Sequence, residues 1–139
     1  MSTIGILLFD GAEELDFVGP WEVLTASSAL LEKEGAPPDR VVLVAERLDP
    51  VRCRKGMRVL PDVSFADHPP LDVVVVPGGE GTLLAAENPV LLRWLAEVSA
   101  TAHWVASVCT GSRSATSSTS RRRPTQRTCK TVARCRAAR

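Results

Sequence analysis

No apolar run in this sequence approaches the ~20 residues a helix needs to cross a bilayer. No basic stretch precedes "TIGILLF", as a secretory leader would require. A cytoplasmic protein with no membrane partner is therefore expected. The four cysteines, Cys53, Cys109, Cys129 and Cys135, form no CxxC pair. Their spacing argues against a disulfide framework and against zinc, and Cys129 and Cys135 have no histidine beside them. Free thiols are expected, with no metal and no cofactor. Internal repeats are also missing, and 139 residues suit one domain.

Acid is absent from one end of the chain. Residues 112–139 hold nine of the 17 Lys and Arg and ten Ser and Thr, but no Asp, Glu, Leu, Ile, Met or aromatic residue. So little apolar area cannot offset the entropy of ordering the chain, and the stretch reads as a disordered basic tail. Residues 1–111 hold all 16 acids and eight bases, a net charge of −8, and read as the folded domain. Nine positive charges would attract a polyanion. The tail carries no aromatic side chain for stacking and no groove-reading motif, so nucleic acid is disfavoured as a partner.

The apolar runs that are present are short and punctuated. "IGILLF" (4–9), "RVVLVAE" (40–46), "LDVVVVPGG" (71–79) and "HWVASV" (103–108) read as strands covered on both faces, as in a parallel sheet. "PWEVLTASSALLEKEG" reads as a helix with Pro20 at its first position and Gly35 to stop it. "NPVLLRWLAEVSA" (88–100) reads as another, capped by Asn88 and presenting Leu91, Leu92, Leu95 and Val98 on one face. Residues 52–66 alternate weakly around Gly56 and suggest a small β excursion. This order predicts a doubly wound α/β sheet, whose ligands sit outside the carboxyl ends of the strands.

Three of those strand ends carry chemistry. "SVCTG" spells a nucleophile elbow: a tight turn strains the backbone at Cys109, so residues two positions away must be small. The blander reading is a buried structural thiol. Asp16 is either a loop or capping carboxylate, or a carboxyl held protonated beside Cys109 and donating a hydrogen bond to its thiolate. Gly78 and Gly79 form a turn, and after a buried strand their N–H groups are free to face developing negative charge.

Together "FDGAEELDFVGPWEVL", "DVVVVPGGEGT" and "WVASVCTG" resemble, in order and spacing, the three signature segments of the ThiJ/PfpI superfamily, which has the class I glutamine amidotransferase-like fold. "LDFVGPWEVL" and "SVCTG" are most similar to isocyanide hydratases and to the amidase-like domains of AraC-type regulators. The resemblance covers residues 4 to 111. It implies a flavodoxin-like, mainly parallel sheet, a nucleophilic Cys109, an acidic partner at Asp16, and backbone donors from Gly79 and Thr110. Glu13 and Glu14 fall in the family's acidic loop and are expected to be solvated or structural. A homodimer fits the family pattern.

The resemblance stops after Gly111, where the family continues with an apolar helix, more strands and usually a histidine near the cysteine. "GSRSATSSTSRRR" supplies none of these, and neither His68 nor His103 matches that histidine's position. The abrupt change suggests a reading frame lost just past Gly111, against a competing reading as a native basic tail. Either way the sheet is expected to be incomplete at its C-terminal end, and the chain marginally stable and prone to aggregate. The expected function is a hydratase or hydrolase acting on a small electrophile, impaired in this chain. The alternative is a non-catalytic domain that senses a ligand, or senses oxidation through a Cys109 sulfinate.

Overall fold

The computed structural model describes residues 1–112 and 132–133. Strand β1 (Thr3–Leu7) is buried at four of its five positions, because its apolar side chains leave no polar face to turn to water. Helix α1 (Glu14–Lys33) and strand β2 (Arg40–Ala45) follow. A hairpin of β3 (Val51–Arg52) and β4 (Arg58–Val59) and the short β5 (Val63–Ser64) account for the expected β excursion. Then come β6 (Val73–Val76), α2 (Thr82–Ala85), α3 (Pro89–Thr101), β7 (Trp104–Ser107) and β8 (Val132–Ala133).

The main sheet has the order β5-β2-β1-β6-β7-β8, parallel except where β8 runs antiparallel to β7. The fold is thus the expected α/β architecture with a mainly parallel sheet. From β1 the chain steps outward to β2 and β5, returns across the sheet to β6, and steps outward again to β7. The strand order therefore reverses between β1 and β6, and the carboxyl ends of those strands are where ligands sit in such sheets. Ile6, Leu7, Val44, Val74 and Val76 fill the sheet, with Phe17 from α1 and Leu95 from α3 also buried. Phe65 stacks on Trp94 with ring centroids 4.3 Å apart.

Helix α3 begins as its sequence predicts: Asn88 accepts from the N–H groups of Val90 and Leu91, and Pro89 follows. Helix α1 does not. It starts at Glu14, and Pro20 lies inside it. Glu14 and Asp16 favour a helical first turn by complementing its dipole. Pro20 then forgoes the one N–H it would have sent to the Asp16 carbonyl. This shift of the helix start matters, because it makes Asp16 a residue of the first helical turn instead of a loop residue.

Strand β7 is half-buried or exposed along its length, with Trp104 36% exposed, whereas β6 beside it is buried at three of four positions. Within the stretch expected to lack order, Val132–Ala133 adds to the open edge of β7, whose backbone groups would otherwise lack strand partners. The rest of that tail beyond Ser112, with Cys129 and Cys135, lies outside the described residues. No described helix is long and apolar enough to cross a membrane.

Candidate active site

At the end of β7 the chain turns through Cys109–Gly111 in a single 3-10 turn. Cys109 adopts φ of 54°, and among the described residues no other non-glycine residue has a positive φ. That conformation costs a residue with a Cβ roughly 1–2 kcal/mol, so the neighbouring chain must hold it. Gly111 shows how: a Cβ there would collide with the Val76 carbonyl oxygen and lie 2.7 Å from that of Pro77. Glycine alone lets the elbow press against the end of β6. The result is an exposed cysteine on a strained turn.

Asp16 reaches the same place from the first turn of α1. It is 8% exposed, and its Oδ2 accepts a hydrogen bond of 3.0 Å from the Gly78 N–H. A Cβ on Gly78 would sit 2.6 Å from the Thr110 nitrogen, 2.7 Å from Thr110 Oγ1 and 3.0 Å from Asp16 Oδ2. The Asp16 carboxylate and the residue after Cys109 thus crowd one point, which is empty because residue 78 has no side chain. The Gly78 carbonyl in turn accepts from the Glu13 N–H at 2.9 Å.

Gly79 is locked by a different constraint. Its φ is +119°, and a Cβ there would lie 2.5 Å from both the Glu13 nitrogen and the Gly11 carbonyl oxygen. Its N–H donates to Thr110 Oγ1 at 3.1 Å. Thr110 Oγ1 also lies 3.3 Å from Thr82 Oγ1, the hydroxyl of a residue only 2% exposed. The structure therefore brings together Cys109, Thr110, Asp16, Gly78 and Gly79 from three strand ends. Thr82 is the member that sequence reasoning misses, because after "PGGEG" it looks like the first residue of any helix.

The surrounding acids Glu13, Glu14 and Glu80 are engaged by the β3–β4 turn. Glu13 pairs with Arg54 at 3.2 Å and with Lys55, and Glu80 pairs with Arg54 at 2.8 Å. Glu14 Oε1 accepts from the Lys55 N–H at 2.7 Å. These contacts clamp the β3–β4 turn to the start of α1, which carries Asp16, and to the turn after Gly79. Cys53, in the same hairpin, is buried. Burial first, then the charges of Glu14 and Asp10, push its thiol up to about 11, so it stays protonated and inert at neutral pH.

Neither histidine joins the site. His103 lies at the opposite end of β7 from Cys109 and faces Asp72 at 3.5 Å, while His68 contacts the Pro69 carbonyl at 2.7 Å and the edge of Trp94. Among the described residues no group of three His, Cys, Asp or Glu is placed to hold a metal ion. A cavity of about 300 Å³ opens over β1 and β2, lined by Leu8, Phe9, Ala45 and Phe65 among others, but not by Cys109 or Asp16.

The profile of the DJ-1/PfpI family matches residues 2–134. The chain belongs to the DJ-1/PfpI family. Isonitrile hydratase of Pseudomonas putida is 38% identical over 109 residues, which is 78% of this chain and 44% of the hydratase. An HTH-type transcriptional regulator of Mycobacterium tuberculosis is 48% identical over 42 residues, 30% of this chain and 16% of the regulator. A ThiJ/PfpI family protein from Pseudomonas syringae superposes with a TM-score of 0.73 at 31% identity, covering 84% of this chain and 46% of that one. This DJ-1/PfpI chain spans about half the length of the first curated relatives it matches.

Proposed function

We propose that Cys109 is the nucleophile of a hydratase acting on a small electrophile, with isonitriles as the substrate class. The observation that carries the reading is the left-handed backbone at Cys109, φ 54°, on an exposed turn. Strain of this kind persists where the surrounding structure over-determines it, and it clusters at reactive sites. Similarity to an isonitrile hydratase supports the choice of substrate.

In this reading the Cys109 thiolate attacks the terminal isonitrile carbon, forming a C–S bond, and a proton from Asp16 completes a thioimidate. Water then adds to that carbon, with Asp16 taking back one proton. The second proton of the water goes to nitrogen as the C–S bond breaks. The product is the N-substituted formamide, and the thiolate is regenerated, so one water is consumed per turnover. The amides of Gly79 and Thr110 face the charge that develops during attack. At rest the Gly79 N–H donates to the Thr110 hydroxyl at 3.1 Å.

The test is formamide production from an aryl isonitrile by the full chain, alongside iodoacetamide labelling of Cys109. Turnover that disappears in Cys109→Ala supports the proposal. Turnover that survives in Cys109→Ala, or no turnover by a chain whose Cys109 is labelled readily, overturns it. A second reading, a ligand-sensing domain, draws on the 48% identity of one segment to a transcriptional regulator. Under that reading the chain binds a small electrophile without consuming it.

A further inference from the structure

We propose that Thr82 is a positioning residue for this site: its buried hydroxyl fixes the Thr110 side chain and, through it, the direction of the Gly79 N–H. The inference rests on the reading of Gly79 as a donor to substrate. Three observations carry it. Thr82 is 2% exposed, so its hydroxyl needs a partner inside the protein. The partner the structure provides is Thr110 Oγ1, at 3.3 Å. Thr110 itself is exposed, yet its hydroxyl receives the Gly79 N–H at 3.1 Å.

A threonine hydroxyl has one proton and two lone pairs. Thr110 Oγ1 uses one lone pair for the Gly79 N–H and has its proton or its second lone pair left for Thr82. Both bonds are satisfied in a single rotamer. The buried threonine is the first residue of α2, and its own N–H donates to the Gly79 carbonyl at 3.2 Å. Thr82 thus grips the Gly79 residue at two points, at its carbonyl directly and at its N–H by way of Thr110. Gly78 is held independently, by Asp16, and serves as an internal reference.

The experiment is amide solvent exchange by NMR on the ¹⁵N-labelled full chain, comparing wild type with Thr82→Val, which keeps the shape and removes the hydroxyl. Loss of one hydrogen bond worth ~1 kcal/mol corresponds to a rise in Gly79 exchange of about fivefold. Gly78 exchange should stay within about twofold, and Thr82→Ser should restore Gly79. Should valine not fit, Thr82→Ala is judged by the same contrast. Thr110→Val, at an exposed position, should release Gly79 equally. The proposal is overturned if Gly79 exchange does not change, if Gly78 and Gly79 rise together, or if the serine variant behaves like valine. Isonitrile turnover is measured separately, with kcat lowered and KM unchanged in Thr82→Val. A wild-type chain without turnover removes the hydratase reading, while the exchange contrast still decides the role of Thr82.

Discussion

Replacing Gly79 with alanine separates two kinds of backbone demand. Gly35, just past the end of α1, has φ of +77° with nothing within 4 Å of the place a Cβ would occupy, so Gly35→Ala measures conformational strain alone. A left-handed alanine costs roughly 1–2 kcal/mol, and stiffening the unfolded chain offsets about 0.4–1 kcal/mol of that. The net expectation is about 1 kcal/mol. Gly79 sits at φ +119° and its Cβ would lie 2.5 Å from two backbone atoms, Glu13 N and Gly11 O. Neither atom belongs to a flexible side chain that could move aside. Strain of roughly 1–3 kcal/mol and an overpacking cost of about 1–3 kcal/mol bring the expectation to about 4 kcal/mol. Against a total stability of roughly 5–15 kcal/mol, that is a large loss. Urea unfolding followed by tryptophan fluorescence should place the Gly79→Ala midpoint lower by about 1–4 M. If Gly79→Ala and Gly35→Ala agree within about 1 kcal/mol, the nesting of the 78–81 turn against the 10–13 loop is not a constraint, and the site geometry built on it fails.

Asp16→Ala should cost roughly 1–3 kcal/mol by leaving the Gly78 N–H unpaired, and should slow iodoacetamide labelling of Cys109 severalfold; unchanged labelling would uncouple the two residues. Cys109→Gly relieves the left-handed strain and should stabilise the fold by about 1 kcal/mol, read as a higher urea midpoint. Cys53 sets an alkaline limit. Its thiol is raised from 9.0 to about 11 by burial, so the folded state holds a proton that the unfolded chain releases. That stability is complete below pH 9 and is lost as pH rises towards 11, by about 2 kcal/mol. Urea midpoints at pH 8 and 10.5 should diverge in the wild type and diverge less in Cys53→Ala. Asn88→Ala, which removes the α3 cap, should cost about 1 kcal/mol, measured in the same way.

The site is legible in the sequence to different depths at different residues. Cys109 can be found because an elbow demands small neighbours, and Gly111 meets that demand against the Val76 and Pro77 carbonyls. Gly78 and Gly79 stand out as a turn after a buried strand. Asp16 is visible as an acid near the right strand end, but its setting is not: proline inside a helix is disfavoured enough that Pro20 suggests a start, whereas the helix begins at Glu14. Thr82 leaves no signal at all. A threonine at the start of a four-residue helix looks like many others, and only its 3.3 Å approach to Thr110 distinguishes it.

The layers of the fold are written in local patterns. Apolar runs too short to span a bilayer mark the strands, buried in β1 and β6 but half-buried or exposed in β7, and period and caps mark α3, because these are local consequences of backbone chemistry. Which strand ends meet is a property of the folded chain alone. Asp16 and Gly78 are 62 positions apart in the chain, and Gly79 and Thr110 are 31 apart. What joins them is the strand order β2-β1-β6-β7, which places the ends of β1, β6 and β7 side by side. No local pattern encodes that order; it follows from how the whole chain covers both faces of one sheet.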